Sequence, residues 1–144
     1  MEYKKCSAIL VFNDKNELAL QLRAAHDDKF PSHWDFSAGG GIDQGEDEKA
    51  SAERELMEEL GIRSEVEFII QERYVYPAWN PLITRETDLS IFKTHHNGPF
   101  NPDPNEVEKV QFFKLEKIEE MIKSGEKFHP EFILFWNKKI IDKF

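Results

Sequence analysis

Cysteine is nearly absent. Cys6 stands alone, so no disulfide can close within the chain and no thiolate cluster can hold a metal. A reducing cytoplasm is the compartment this usage suits. Long apolar runs are missing as well: Ala8 to Phe12, behind Lys4 and Lys5, is too brief for a signal-peptide core and has no cleavage pattern. Nothing approaches the length of a membrane span. No basic patch is dense enough to offset a net charge of -9, which argues against nucleic acid or an anionic membrane as a surface partner. An anionic small molecule stays compatible, because a metal and a few local cations reverse the field inside a pocket. Repeats and low-complexity linkers are also lacking. What is present, 144 residues with 40% hydrophobic and 33% charged, has the composition of a soluble globular protein and fits one domain over residues 1–144.

Along the chain, Cys6 to Phe12 is a nearly continuous apolar run, Asn13-Asp14-Lys15-Asn16 is a turn cluster, and Leu18, Leu20 and Leu22 alternate within Glu17 to Arg23. This pattern predicts a hairpin with one well-buried strand. Arg23 to Ser32 is polar and ends in Phe30-Pro31, as a surface loop does. Trp34 to Ala38 is expected to be a short strand that delivers the chain into Gly39-Gly40-Gly41. Further strands are expected over Val66 to Tyr76, Asp88 to Thr94 and Glu108 to Lys114, with a turn over Pro77 to Pro81 and an extended loop over His95 to Asn105. Leu115 to Ser124 has helical spacing and stops at Gly125, and Pro130 can open a last helix running almost to Phe144. In that helix Phe132, Phe135, Trp136 and Ile140 form one stripe; Leu134 and Ile141 sit elsewhere, against the sheet or the preceding helix, or in a homodimer contact. Strands on both sides of a central helix, with a helical C-terminus, predict an α/β fold with a mixed sheet.

The stretch with chemistry in it is Gly40 to Ile62, GGIDQGEDEKASAERELMEELGI. From about Asp47 to Leu60 it has a helix composition, with Ala50, Ala52, Leu56, Met57 and Leu60 on one apolar arc that is expected to face inward. Glu55, Glu58 and Glu59 stand at i, i+3 and i+4, which places their carboxylates on a common face roughly opposite that arc. Crowded acids repel one another, and a hard divalent cation such as Mg²⁺ or Mn²⁺ takes oxygen ligands and cancels the repulsion. A solvated acidic helix face is the plain alternative. The preceding glycine run lets backbone groups approach a ligand, a helix start favours anions, and Gly61 is placed to end the helix, so the unit is expected to be loop, helix and stop.

Counting from Gly40, five residues precede Glu46 and seven more precede Arg54-Glu55-Leu56, then any residue, Glu58-Glu59, any residue, and Gly61-Ile62. Every fixed position of the Nudix box is filled, and the chain resembles the Nudix hydrolases. The resemblance implies a Nudix-type α/β/α sandwich with a central mixed sheet, and a metal-dependent hydrolase that cleaves a phosphoanhydride linkage in a nucleoside diphosphate joined to another group or a related small-molecule diphosphate. It implies Glu55 as the residue that positions or deprotonates the water, Glu58 and Glu59 as primary ligands of Mg²⁺ or Mn²⁺, with Glu55 also able to bind metal, and the main-chain carbonyl of Gly39 as a further ligand. Arg54 would orient Glu55, or else pair with Glu58 one turn on. Glu46 would hold the loop and helix start. Family members also draw an acid from a distant loop; the candidates are Asp103, Glu106 and Glu108, and Glu106 is chosen because Asn105-Glu106-Val107 lies just before a strand. For substrate contact, Gly40 and Gly41 belong to the glycine approach, and Arg23 and Lys29 flank the loop leading to Trp34.

The substrate is less sharply drawn. Arg73 to Trp79 offers an aromatic cluster that could stack on a base, cover an apolar tail or simply pack. His95 and His96 are adjacent, so in a strand they face opposite ways and read as surface residues. Leu20 to Glu46 looks like the Nudix branch that includes isopentenyl-diphosphate isomerases. Those isomerases carry a cysteine and a histidine where Ala38 and Gly40 stand here, which points away from isomerisation and toward a related hydrolase. A domain that senses a nucleotide or metabolite without turning it over is the remaining alternative.

Overall fold

A computed structural model of the protein describes residues 3–144. The chain order is β1 (Lys4–Phe12), β2 (Leu18–Arg23), β3 (Trp34–Asp35), β4 (Ala38–Gly41), α1 (Glu48–Leu60), β5 (Glu67–Pro77), β6 (Thr84–His95), β7 (Val107–Phe113), α2 (Leu115–Lys123) and α3 (Pro130–Asn137), with a closing 3₁₀ turn at Ile140–Lys143. The strands form a mixed sheet in the order β3-β2-β1-β6-β5, with β4 also pairing β1 and β7 also pairing β2.

β1 sits at the centre because its side chains are apolar on both faces. Cys6, Ala8 and Leu10 enter a large core built with Phe132, Phe135 and Trp136 of α3 and Ile118 and Met121 of α2. Ile9 and Val11 enter a second core with Ala52, Leu56 and Leu60 of α1. The period of two in the strand therefore feeds two layers, and an α/β/α sandwich with a central mixed sheet results. Along one side β1 runs parallel to β6, from Lys4 opposite Thr87 to Phe12 opposite His95.

Its other side is divided. β1 meets β2 at Phe12 opposite Leu18, next to the connecting turn, and β4 takes over from Ile9 opposite Ala38 to Cys6 opposite Gly41. The expected hairpin thus opens after its first pair, and β4 is wedged into the opening. Ser37, fully buried, bridges the split: its Oγ accepts from the Val11 amide at 2.9 Å and donates to the Ala19 carbonyl.

Four expectations are corrected. The single strand over Trp34 to Ala38 is two short strands, because the chain leaves β2 at Asp35 and joins β1 at Ala38. Gly39 to Gly41 is strand, not loop, and is separated from the helix start, where Asp47 provides the cap. The strand expected from Asp88 begins at Thr84, since β5 and β6 pair down to Pro77 opposite Thr84. The last helix stops at Asn137, with Lys139 in the left-handed region at φ 55° before the 3₁₀ turn. Ile141 is buried in the large core and half-buried Leu134 packs against it.

Candidate active site

α1 is bounded as its sequence requires. Asp47 Oδ2 accepts from the Ala50 amide at 3.1 Å, and Gly61, at φ 67°, returns its amide to the Met57 carbonyl. Its rotation differs from the expected one. Ser51, Ala52, Glu55, Leu56 and Leu60 are buried, whereas Ala50 and Met57 are exposed. Glu55 therefore lies on the sheet side of the helix and not on an acidic face opposite it, and only Glu58 of the three acids is exposed. The strand facing these acids explains how they fit: β4 is Ala38-Gly39-Gly40-Gly41, so it presents backbone where other strands present side chains.

Glu59 uses that backbone. Its Oε1 accepts from the Gly39 amide at 2.9 Å and from Gln21 Nε2 at 3.1 Å. Burial pushes the Glu59 carboxyl well above the usual carboxylate range, with the charges of Glu55 and Glu106 adding and the hydrogen bonds from Gly39 and Gln21 opposing. Burial also raises Glu55, to about 7, against the attraction of Arg54 and with the help of Glu58 and Glu106.

Arg54 gathers the acids on the other flank. Its guanidinium donates to both oxygens of Glu46 at 2.7 and 2.9 Å, to Glu55 at 3.2 Å and to Glu58 at 3.1 and 3.2 Å. Both sequence alternatives for Arg54, a contact to Glu55 and a pair with Glu58, are present together. Glu46, lowered to about 2 by its hydrogen bond from Arg54, also accepts from the Asp43 amide and so holds the loop before α1.

The distant loop is tied to this helix by Asn101 and Asp103, whose amides donate to the carbonyls of Leu60 and Glu59. Glu106 follows at the end of that loop. Partial burial, then the charges of Asp103 and Glu58, hold its carboxyl above the ordinary value. Glu108 is exposed on β7. Arg23 lines the adjoining cleft with its guanidinium paired to Asp35 and Asp27, each at 3.2 Å, and donating to the Lys29 carbonyl. Lys29 itself, exposed, lines the adjoining cleft.

That cleft has a volume of about 500 Å³ and runs from Glu59 and Gly39 to Gly41 at one end to Tyr76, Trp79, His129 and Glu131 at the other. Lys4 and Arg85 line it as well, two cations that the sequence alone did not single out. Neither Gln21 nor Glu131 was legible as a site residue; each looks like an ordinary polar position on a strand or in a first helical turn. Cys6 also faces the cleft, as a thiol that burial raises to about 11.

No group of three or more His, Cys, Asp or Glu side chains among the described residues is already gathered so that it could hold a metal ion. Glu58 is turned to Arg54 and Glu59 to Gly39. The donor set nevertheless fits a hard divalent cation. All its side-chain donors are oxygens, and Glu55 and Glu59 are both driven toward protonation by burial and by neighbouring acids, a cost that a cation removes.

The NUDIX domain family model matches residues 3–134. A Nudix hydrolase of Listeria innocua is 33% identical over 88% of this chain and 72% of its own length. An isopentenyl-diphosphate Delta-isomerase of Haloarcula marismortui is 25% identical over 85% of this chain and 64% of its own. The crystal structure of the MutT protein of Methanosarcina mazei superposes with a TM-score of 0.77 and 22% identity, covering 94% of this chain and 91% of that one. With the complete motif on α1 and β4 in place, the chain belongs to the Nudix hydrolase family, whose enzymes act on phosphoanhydride bonds.

Proposed function

We propose that the protein hydrolyses the diphosphate linkage of a small molecule seated in the cleft between β4 and α3, with Mg²⁺ or Mn²⁺ held by Glu55, Glu58, Glu59 and the Gly39 carbonyl. The observation that carries this is the placement of buried Glu55 and half-buried Glu59 against a strand without side chains: Glu59 Oε1 accepts from the Gly39 amide at 2.9 Å, and a β-carbon on Gly40 would stand 2.4 Å from Glu55 Oε1. Bound there, the ion would neutralise phosphate oxygens and lower the pKa of a water. Glu55, raised to about 7, is poised as a base near neutral pH. Arg54 fixes Glu55 and Glu58 relative to the glycine strand, and Glu106 completes the acidic rim. Lys4, Lys29 and Arg85 supply the positive field for the phosphates, and Gly40 and Gly41 let them approach the backbone. The residues act as one domain in a reducing cytoplasm.

Isomerisation lacks its residues: Ala38 and Gly40 occupy the positions of the isomerase cysteine and histidine, and Cys6 is held as a buried thiol. The test is cleavage with Mg²⁺ or Mn²⁺, read as separated phosphorylated products, of nucleoside diphosphates joined to a second group, nucleoside triphosphates and isoprenoid diphosphates. Metal-dependent turnover of at least one, lost in Glu55→Gln and Glu59→Gln with folding intact, is expected. Normal rates in those folded variants would overturn the assigned roles.

A further inference from the structure

Gln21 reaches the acids of α1 from a strand outside the glycine and glutamate motif. It lies two residues after Ala19 on β2 and so faces the α1 layer, where Ala19 joins the second core. Its side chain is buried, and Nε2 donates twice, to the Ser37 carbonyl at 3.2 Å and to Oε1 of Glu59 at 3.1 Å. Both partners are acceptors, since Oε1 also accepts from the Gly39 amide at 2.9 Å. The amide therefore has one orientation, and both of its N–H groups are used. Gln21 also lines the cleft, but only its acceptor oxygen remains, and an acceptor cannot bind the oxygens of a phosphate. What it can act on is Glu59.

Two donors thus fix one oxygen of Glu59, and Oε2 makes no hydrogen bond among the described residues. In an antiparallel ladder the N–H and C=O of one residue point to the same side of the strand. The Gly39 carbonyl therefore opens toward the same gap as the amide that Glu59 uses. That gap exists because β1 parts from β2, and Ser37 anchors its rim: the hydroxyl bridges the two strands while the carbonyl takes Gln21. The other two acids are held differently, by the guanidinium of Arg54. A charged donor neutralises the carboxylate it holds, whereas an uncharged amide fixes Glu59 and leaves its charge uncompensated. If a divalent cation is bound as proposed above, we infer that Gln21 is a positioning residue for the metal site. By holding Oε1 of Glu59 at the Gly39 amide it leaves Oε2 as the oxygen offered to the cation.

Metal binding is measured apart from turnover by titrating Mn²⁺ into substrate-free protein and counting the free ion by its electron paramagnetic resonance signal. Gln21→Met keeps the length of the side chain and loses both donors. It should weaken Mn²⁺ binding about tenfold or more, the usual cost of removing a group that orients a metal ligand. A purely structural Gln21 would lower the melting temperature of the metal-free protein and leave the Kd for Mn²⁺ as in wild type, so an unchanged Kd in the folded variant overturns the assignment. Where Gln21→Met does not fold, wild type decides the matter. In ¹⁵N-labelled protein the Gln21 side-chain amide protons should stay protected from solvent exchange when Mg²⁺ saturates the site; their release on adding Mg²⁺ overturns the assignment. Failure of the hydrolase proposal is read separately. Wild type that binds no Mn²⁺ removes the metal site itself, and with it this role for Gln21. Gln21-dependent Mn²⁺ binding without cleavage of any diphosphate upholds the positioning role and ends the hydrolase reading alone.

Discussion

A β-carbon added to Gly40 would stand 2.4 Å from Oε1 of Glu55. The glycine is thus a packing requirement and not a source of flexibility, since its strand is paired with β1 at Ser7. Glu55 can rest against the sheet only while residue 40 has no side chain. Gly40→Ala should displace the carboxylate by about 1 Å and reduce kcat on the order of 100-fold, with a melting temperature within a few degrees of wild type. Gly39→Ala differs in kind: its β-carbon would meet the Ser7 carbonyl at 2.6 Å, and backbone cannot swing away. That variant should unfold at distinctly lower temperature. Steady-state rates with thermal melts of both proteins separate the two effects.

Glu59 offers the opposite trade. Its carboxyl is buried and driven toward protonation, so its ionised form works against folding. Glu59→Gln keeps an oxygen for the Gly39 amide and Gln21 and removes the charge. At pH 8 without metal the variant should melt no lower than wild type, yet lack activity. Wild type should gain stability from Mg²⁺ or Mn²⁺ by mass action, about 2.7 kcal/mol at a hundred times Kd, and Glu59→Gln should lose most of that gain. Melting curves across a metal titration measure both.

Much of the site could be read from spacing, because a helix converts i, i+3 and i+4 into proximity without help from the rest of the fold. α1 alone brings Glu55, Glu58 and Glu59 within a turn of one another, though their carboxylates turn to different partners, and Arg54 reaches Glu58 by the same rule. The rotation of α1 was not legible in this way. Apolar counting placed Ala50 and Met57 inward, whereas the strand opposite lacks side chains and lets Glu55 take the buried position. Such a choice depends on a partner that is adjacent only after folding. The pairing of Arg23 with Asp35 was hidden for the same reason, since Asp35 lies next to it only once β2 pairs with β3. The distal groups Arg85 and Glu131 come from a strand and a helix 46 residues apart in the sequence, and no local pattern joins them. Strand existence was the easier part; the splitting of β1 between β2 and β4 rests on one serine.

Ser37 makes that dependence measurable. Its hydroxyl satisfies the Val11 amide and the Ala19 carbonyl where β1 and β2 part, and it is fully buried. In Ser37→Ala both backbone groups lose this partner at a fully buried position. The expected cost is roughly 2–4 kcal/mol from two unsatisfied buried groups. Urea unfolding should show a lower midpoint at unchanged slope, and a midpoint equal to wild type would mean that water or a shifted strand replaces the hydroxyl.

Stability should also fall as pH rises through the acid range, because of Glu131. Burial holds its carboxyl up at about 7, against the hydrogen bond from Thr87, whereas the unfolded chain titrates it near the ordinary value of 4.5. Between these values the unfolded state has released a proton that the folded state retains, so ionisation favours unfolding. The stabilisation by the protonated form is complete below about pH 4.5 and is lost by the time pH passes about 7. Glu55 and Glu59 are displaced in the same direction and steepen the same slope in metal-free protein. Glu131→Gln cannot titrate, so its metal-free stability should decline less between pH 5 and pH 7.5, by a difference on the order of 2 kcal/mol. Parallel urea curves at these two pH values measure it. Identical pH slopes for wild type and Glu131→Gln would place the Glu131 carboxylate in contact with water and leave the distal end of the cleft without its buried acceptor.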